Sequence, residues 1–588
     1  MADVKIKTVR AALNTSVSTQ DITLSGFGAP KAAMFFLTRT SVDDTLADHA
    51  ALSMGFTDGT TSTVCEFSSE NGLSTTDTQT VVNSTDVIHL DDFGPVELVT
   101  ATFNAWITDG VRINVVDAPS SAYLVTVVLI GGADVSNADV SMLSLDRSLA
   151  NDVTSIGFEP DIVFAIATEA SAVGKSNHAK ASLGIAHNGG TLAQRCMAIG
   201  LEHASSTSDA GLYGSDTQLG AILNNAASTV QTGYVVSAFD ASGYTVTGDN
   251  GGSATRLMPT LNLKFANNPG IKILDLDSPT ATGSSATTGA GFEPAFGLML
   301  LADIDARNAV QDTDDDGFGI TVFDDTNLFS SAVSVDDGAA TTLTRSLSSD
   351  QLRLIDGGTN STHTATLTSL DSDGWTFNYS VADGTVKKWF GLAIEGATAS
   401  RSITDIDTDN NVLVGQTSVT ITAVGLDASP STQTITLGGQ ALTVTNWNGG
   451  NPIVTIPVNI ALKLGRTDLQ LSVTDDTGAV TFDNVTLSPE TGWEFVNFSG
   501  TAPGAGTESG YEIVQTDFTY DLTSADQWIF ESETGLSFDT DTLPTVNPAA
   551  TITSQYRYWR NGTGAMSAKT AYTIAQKPIL SSGSFTAS

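Results

Sequence analysis

Basic residues are scarce in this chain: 25 Lys and Arg stand against 65 Asp and Glu over 588 residues, a formal net charge of −40. Binding a nucleic-acid backbone requires clustered Lys and Arg that displace counterions, and no such cluster is present, so nucleic acid is excluded as a partner. The acidity runs along the whole chain instead of forming a tail. It reads as a solvated coat that keeps a large β-protein soluble and hinders edge-to-edge association. Cysteine occurs twice, as Cys65 in "STVCEF" and Cys196 in "AQRCMAI". The two fall at similar places in different repeats, so the expectation is two buried free thiols in a reducing compartment and no disulfide. No apolar run reaches the ~18–20 residues that span a bilayer. The opening "MADVKIKTVRAALNTSVSTQ" lacks the apolar core of a secretory signal. A soluble protein made in a cytosol, with no membrane partner, is expected.

Long helical patterns and heptads are also missing. What is abundant is Gly, Ser, Thr, Ala, Val and Asp, a mixture that suits pleated strands and their turns, and the fold class expected is all-β. Three stretches open alike: "SGFGAPKAAMFFLTRT" at 25–40, "IGFEPDIVFAIATEA" at 156–170 and "AGFEPAFGLMLLADI" at 290–304. Each is followed by a small-residue strand running into a turn ("SMGFTDG", "SLGIAHNG", "FGITVFDD"). A glycine turn at Gly110, Gly243 or Gly374 then precedes an apolar closing strand. A spacing of this length is that of a domain, not of a solenoid repeat. The reading is an N-terminal arm (1–19) and three homologous, jelly-roll-like β-sandwiches at 20–135, 152–278 and 286–398. An immunoglobulin-like sandwich at 401–499, with short alternating strands and turns at regular intervals, and a smaller β-domain at 508–588 follow.

Local constellations for chemistry are few. Asp312, Asp314 and Asp316 in "DTDDDG", and Asp405, Asp407 and Asp409 in "DIDTDN", alternate as oxygen ligands for Ca²⁺ would, but Phe323 stands where the first string needs a bidentate Glu. A solvated acidic turn explains either string as well, and no cofactor other than Ca²⁺ is suggested. "VGKS" at 173–176 lacks the first glycine of a phosphate loop, since Glu169 occupies its place. The six histidines form no HExxH motif and sit in no nucleophile elbow, so nothing supports an enzyme. Trp106, Trp375 and Trp389 read as core residues. Trp447, flanked by Asn446 and Asn448 in "TNWNGGNP", is the candidate sugar platform, because an indole face packs sugar C–H groups while amides bond hydroxyls.

The segments "GFGAPKAAMFFLT" (26–38), "SMGFTDG" (53–59) and "VLIGG" (128–132) resemble a domain of tailed-bacteriophage structural proteins, written GFxPKAVxFxxT, then an SxGF-like strand and a closing strand ending in Gly-Gly. The second and third repeats depart from it, with Asp161 or Ala295 in place of the Lys. "ITDIDTDNNVLVGQTSVTITAVGL" resembles the immunoglobulin-like or TIG-like modules also found on virions. The resemblance implies a virion surface protein assembled in the host cytoplasm: a tail fibre or tail-tip component, or a head fibre or capsid decoration. Its partners would be other virion proteins and a host-surface glycan, and a homo-oligomer such as a trimer would be usual. A carbohydrate-binding adhesin is the alternative, with a glycan depolymerase behind it. Three homologous units in one chain further suggest a pseudo-threefold ring.

Overall fold

The computed structural model describes residues 4–396 apart from 94–96, 190, 250–253, 313–315 and 358–359, and much of 402–488. Beyond 488 it describes only the strands Trp493–Asn497, Glu512–Ile513, Gln527–Ser532, Gly535–Asp539 and Tyr556–Asn561. The chain is all-β and divides into two compact units, Met1–Ala397 and Thr398–Ser588.

The first unit contains the three repeats, and each pairs a large antiparallel sheet with a small one. In the first sandwich the large sheet runs, in spatial order, Lys5–Ala12, Leu124–Gly131, Pro30–Thr38, Ala50–Thr57, Ser62–Ser69, Thr78–Asn83. The small sheet runs Ser18–Thr23, Gly110–Asp117, Glu97–Ile107, Asp86–Asp91. The second and third sandwiches repeat this order.

The opening line of each repeat has a local cause. Gly26, Gly157 and Gly291 all sit at positive φ (82°, 74° and 82°), a conformation that costs glycine nothing. The phenylalanines that follow, Phe27, Phe158 and Phe292, pack on their own sandwich cores. Pro30 and Pro294 then begin a buried strand at a bulge, where a missing N–H is tolerated. The second recurring glycine answers a different constraint. A Cβ on Gly110, Gly243 or Gly374 would stand 2.0, 1.6 or 2.1 Å from the carbonyl oxygen of Ile22, Val153 or Thr287, so only glycine lets the first two strands of each small sheet close.

The apolar run after each opening is continuous because both faces of the large sheet are covered. Ala33, Phe35 and Leu37 point into the first sandwich's own core. Ala32, Met34 and Phe36 point the other way, into a core shared with Ile162, Phe164 and Ile166 of the second sandwich and Leu298, Leu300 and Ala302 of the third. Small-sheet strands, with one face in water, alternate instead, as in the pattern of Ser18–Thr23.

Cyclic strand exchange locks the three together. Gly174–Asn177 of the second sandwich extends the first's large sheet beside Thr78–Asn83. Val310–Gln311 of the third extends the second's beside Ala210–Ser215. Ala47–Asp48 of the first extends the third's beside Thr344–Ser349. The units therefore form a closed pseudo-threefold ring.

Unit boundaries differ from those read in the sequence. Within the segment read as an N-terminal arm (1–19), Lys5–Ala12 is a strand of the first sandwich, paired with Leu124–Gly131. Likewise Val135–Asp146 opens the second sandwich against Thr255–Phe265, and Ile271–Asp277 belongs to the third, against Lys388–Glu395. These first strands carry no opening motif, and their mixed polarity hides them. In the second unit, two sheets between 402 and 488 enclose one core, which includes Ile406, Ile421, Leu437, Val454, Leu471 and Val485. Trp493–Asn497, read as the end of the immunoglobulin-like segment, instead pairs with Tyr556–Asn561 in the last sheet.

Because no large sheet keeps both faces covered once a neighbour leaves, heating the full chain should melt the three sandwiches in one calorimetric transition. Three resolved steps within 4–396, followed by hydrogen exchange of each sandwich, would count against the shared core.

Candidate functional site at the pseudo-threefold seams

Three turns of equal length, 70–77, 202–209 and 336–343, connect corresponding strands of the three large sheets and interlock. Thr76, Ser208 and Thr342 each use both backbone groups on the next turn. Thr76 N–H donates to Ser205 O (2.9 Å) and its carbonyl accepts from Ala204 N–H (2.8 Å). Ser208 does the same with Ala339 (2.9 Å) and Gly338 (2.9 Å), and Thr342 with Leu73 (2.8 Å) and Gly72 (2.8 Å). Their hydroxyls add a third bond each, accepting from the N–H of Ser205 (2.9 Å), Ala339 (2.8 Å) and Leu73 (2.9 Å). These bonds give the backbone groups of Thr76, Ser208 and Thr342 partners across the junction.

A second device clamps the rim of two seams. Strand register makes Asp58, His187 and Asp324 equivalent, each following the residue paired with Ala33, Val163 or Gly297. Asp58 Oδ1 accepts from Thr60 and Thr61 N–H (2.6 and 2.7 Å) and closes its own turn, while Oδ2 accepts from Val140 N–H of the second sandwich (2.8 Å). Asp324 repeats this with Thr326 and Asn327 (both 2.8 Å) and with Thr8 N–H of the first sandwich (2.6 Å).

The third seam has His187 instead. Its Nδ1 bonds the Asp161 carbonyl (2.8 Å), and burial pulls the imidazole below its ordinary range. There the seam opens into a cavity of about 390 Å³, lined by Glu159, Asp161, His187, Lys264 and Ile271 among others. Lys264 pairs with Asp161 (2.7 Å) and Glu159 accepts from the Asn188 amide (2.6 Å), so the wall is polar.

A buried titratable cluster lies where the exchanged strand joins the first sandwich. Glu66 and His89 are buried, Asp86 Oδ2 is 3.4 Å from His89 Nδ1, and Asp91 Oδ1 is 3.4 Å from Lys175 on the strand donated by the second sandwich. Burial pushes the Glu66 carboxyl up to about 7, with the charge of His89 opposing. Burial would lower His89, but the hydrogen bond to Asp86 and the charges of Glu66, Glu97 and Asp86 raise it overall. A second acid, Asp209, is pushed up to about 6 by partial burial and by Glu202, Asp337 and Asp312 around it.

The residues singled out from sequence are scattered. Asp312 directly follows the exchanged strand Val310–Gln311, Asp316 begins the next strand, and Asp314 and the side chain of Asp316 lie outside the described residues. The string is thus the link between an exchanged strand and its parent sheet. Asp405 lies in a strand at a bulge. Asp407 has φ 54° and its carboxylate accepts from Gln416, and Asp409 lies outside the described residues. Among the described residues no three His, Cys, Asp or Glu side chains are grouped to hold a metal. Trp447 is half-buried against the second unit's core, Asn446 is exposed at a strand end, and Asn448 is outside the described residues. The segment "VGKS" supplies the exchanged strand Gly174–Asn177. Trp375 and Trp389 are core residues and Trp106 packs at a core edge. Sequence reasoning missed Glu66, the seam aspartates and the turn hydroxyls. An acid inside the otherwise uncharged strand "STVCEFSS", and three turns of one length, were the available signals.

No family model matches the chain, and no curated protein matches it. A solved structure with some similarity is the γ-cyclodextrin glucanotransferase (gamma-CGTase) of alkalophilic Bacillus clarkii, at 12% identity over 47% of this chain and 40% of that one, with a TM-score of 0.15. The chain thus spans about two fifths of that structure's length, and so low a score carries no argument about fold or activity.

The raised carboxyl of Glu66 fixes a sign. Its contribution to stability is complete below its ordinary value of 4.5 and is lost as pH rises towards about 7. Glu66→Gln should therefore match the parent at pH 4 and exceed it above pH 7 by about 1–3 kcal/mol. Urea midpoints measured across this range check it. A gap of equal size at both ends would show that ionisation is not the cause.

Proposed function

We propose that this chain is a structural protein on the surface of a tailed-bacteriophage particle, a tail or head fibre or a capsid decoration, contributing to attachment to the host. The observation that carries the reading is the cyclic strand exchange. A single-unit protein could build this ring only by trimerising, whereas here one chain occupies the place of three. A ring closed in one covalent chain cannot dissociate on dilution, which suits a component that must survive outside a cell. The motif resemblance of residues 26–38 and the all-β architecture support the same class. The reading assigns the chain no catalytic step. Its partners are other virion proteins, arranged so that a threefold or pseudo-threefold site receives one copy of the ring. An adhesin reading keeps Trp447 as a sugar contact, although only part of that indole is open.

Peptide mass spectrometry of gradient-purified particles should find the chain at stoichiometric abundance, and antibody labelling in electron micrographs should place it on the head or tail. Finding it only in the soluble lysate, with none on washed particles, would end the virion reading.

A further inference from the structure

Lys180 is the one lysine among the largest fully enclosed side chains of the described residues, and its surroundings are not those of an ordinary ion pair. Its Nζ lies 2.5 Å from Glu169 Oε2 and donates to Asn225 Oδ1 at 2.6 Å. Glu169 follows the buried strand Ile162–Thr168, Lys180 lies in the paired strand Ala179–Asn188, and Asn225 stands on the turn after Gly220–Leu223 of the small sheet. Three elements of the second sandwich thus bring a carboxamide and a carboxylate each into contact with one amine. Register gives the corresponding positions as Arg39 and Ala51 in the first sandwich and Asp303 and Gly317 in the third, so the arrangement belongs to the second alone.

We propose that Lys180 and Asn225 join in an intramolecular isopeptide bond, with Glu169 carrying the proton. Glu169 takes a proton from the Lys180 ammonium. The freed Nζ lone pair adds to Asn225 Cγ, forming the new C–N bond while the carbonyl pair moves onto Oδ1. Glu169 passes the proton to Nδ2, the Cγ–Nδ2 bond breaks, and ammonia leaves with the remaining exchangeable proton. The sum is an ammonium plus a carboxamide giving a secondary amide plus ammonium ion, with Glu169 restored and no oxidant or cofactor consumed. Burial favours the neutral amine, as it lowers the Lys180 pKa against the opposing hydrogen bond and charge of Glu169. Contact distances of this kind supply the proximity that an otherwise slow amide exchange needs. The product would tie the small sheet to the large one and replace a buried ammonium, which is costly to keep charged, by a neutral amide.

The intact full-length chain, purified and held at neutral pH, should weigh less than its sequence by one ammonia, about 17 Da. Its peptide map should show the Lys180 and Asn225 peptides joined, with no tryptic cleavage after Lys180. Glu169→Gln, checked for native circular dichroism, should retain the full mass, and Asn225→Asp should lose water instead of ammonia. A parent chain at full sequence mass overturns the proposal whatever the variants do. So does an ammonia loss that maps to a single asparagine peptide, as a succinimide would give.

Discussion

The packing of the three sandwiches rests on one constraint: each large sheet has to bury two faces, and its own small sheet covers only one. The other face is covered by two more copies of the same sheet, and that requirement sets the rest of the chemistry. It makes the opening strands nearly continuously apolar, with alternate residues serving different cores. It forces the backbone at the sheet ends to find partners in a neighbour, through exchanged strands, interlocked turns and two aspartate clamps. It also makes any charge left inside conspicuous, because a buried ion without a partner is expensive. Glu66 and Lys180 are two such groups: burial holds the Glu66 carboxyl up to about 7, while Lys180 meets Glu169 and Asn225.

Much of this was legible in the residues. The three opening lines marked three sandwiches because a Gly-Phe pair with a proline two or three residues on encodes a left-handed turn, a core plug and the approach to a buried strand, all of them local events. The near-continuous apolarity of the closing strands was a sign of two-sided burial. Strands that open each sandwich were not legible. Lys5–Ala12 and Ile271–Asp277 are half-polar and acquire their identity only from the strand they pair with, far along the chain. A one-residue offset was equally invisible. Cys65 faces the shared core and Cys196 its own sandwich, although the two lie at nearly equivalent places.

The candidate sites show the limit of reading strings. Asp312, Asp314 and Asp316 suggested a cation loop, yet the segment's position between an exchanged strand and its parent sheet gives its brevity a structural cause. Trp447 looked exposed because its neighbours are polar, but a strand end turns the ring onto the core beneath it. Conversely, Glu169, Lys180 and Asn225 are unremarkable in sequence, separated by 11 and 45 residues. Only pairing of two strands and the return of the small sheet bring them together.

The contact between Ala47–Asp48 and the third sandwich has a consequence in time. The first sandwich cannot complete the ring until Thr344–Ser349 exists, nearly 300 residues later. At about 5–20 residues per second, translation leaves its shared-core face without its final cover for tens of seconds. During that interval Met34, Phe36, Phe56 and Phe67 form an apolar patch on a nascent chain. Neighbouring nascent chains on one message would carry the same patch, and each could complete another's ring. The acidic coat acts at that moment, repelling like chains before their own third sandwich arrives.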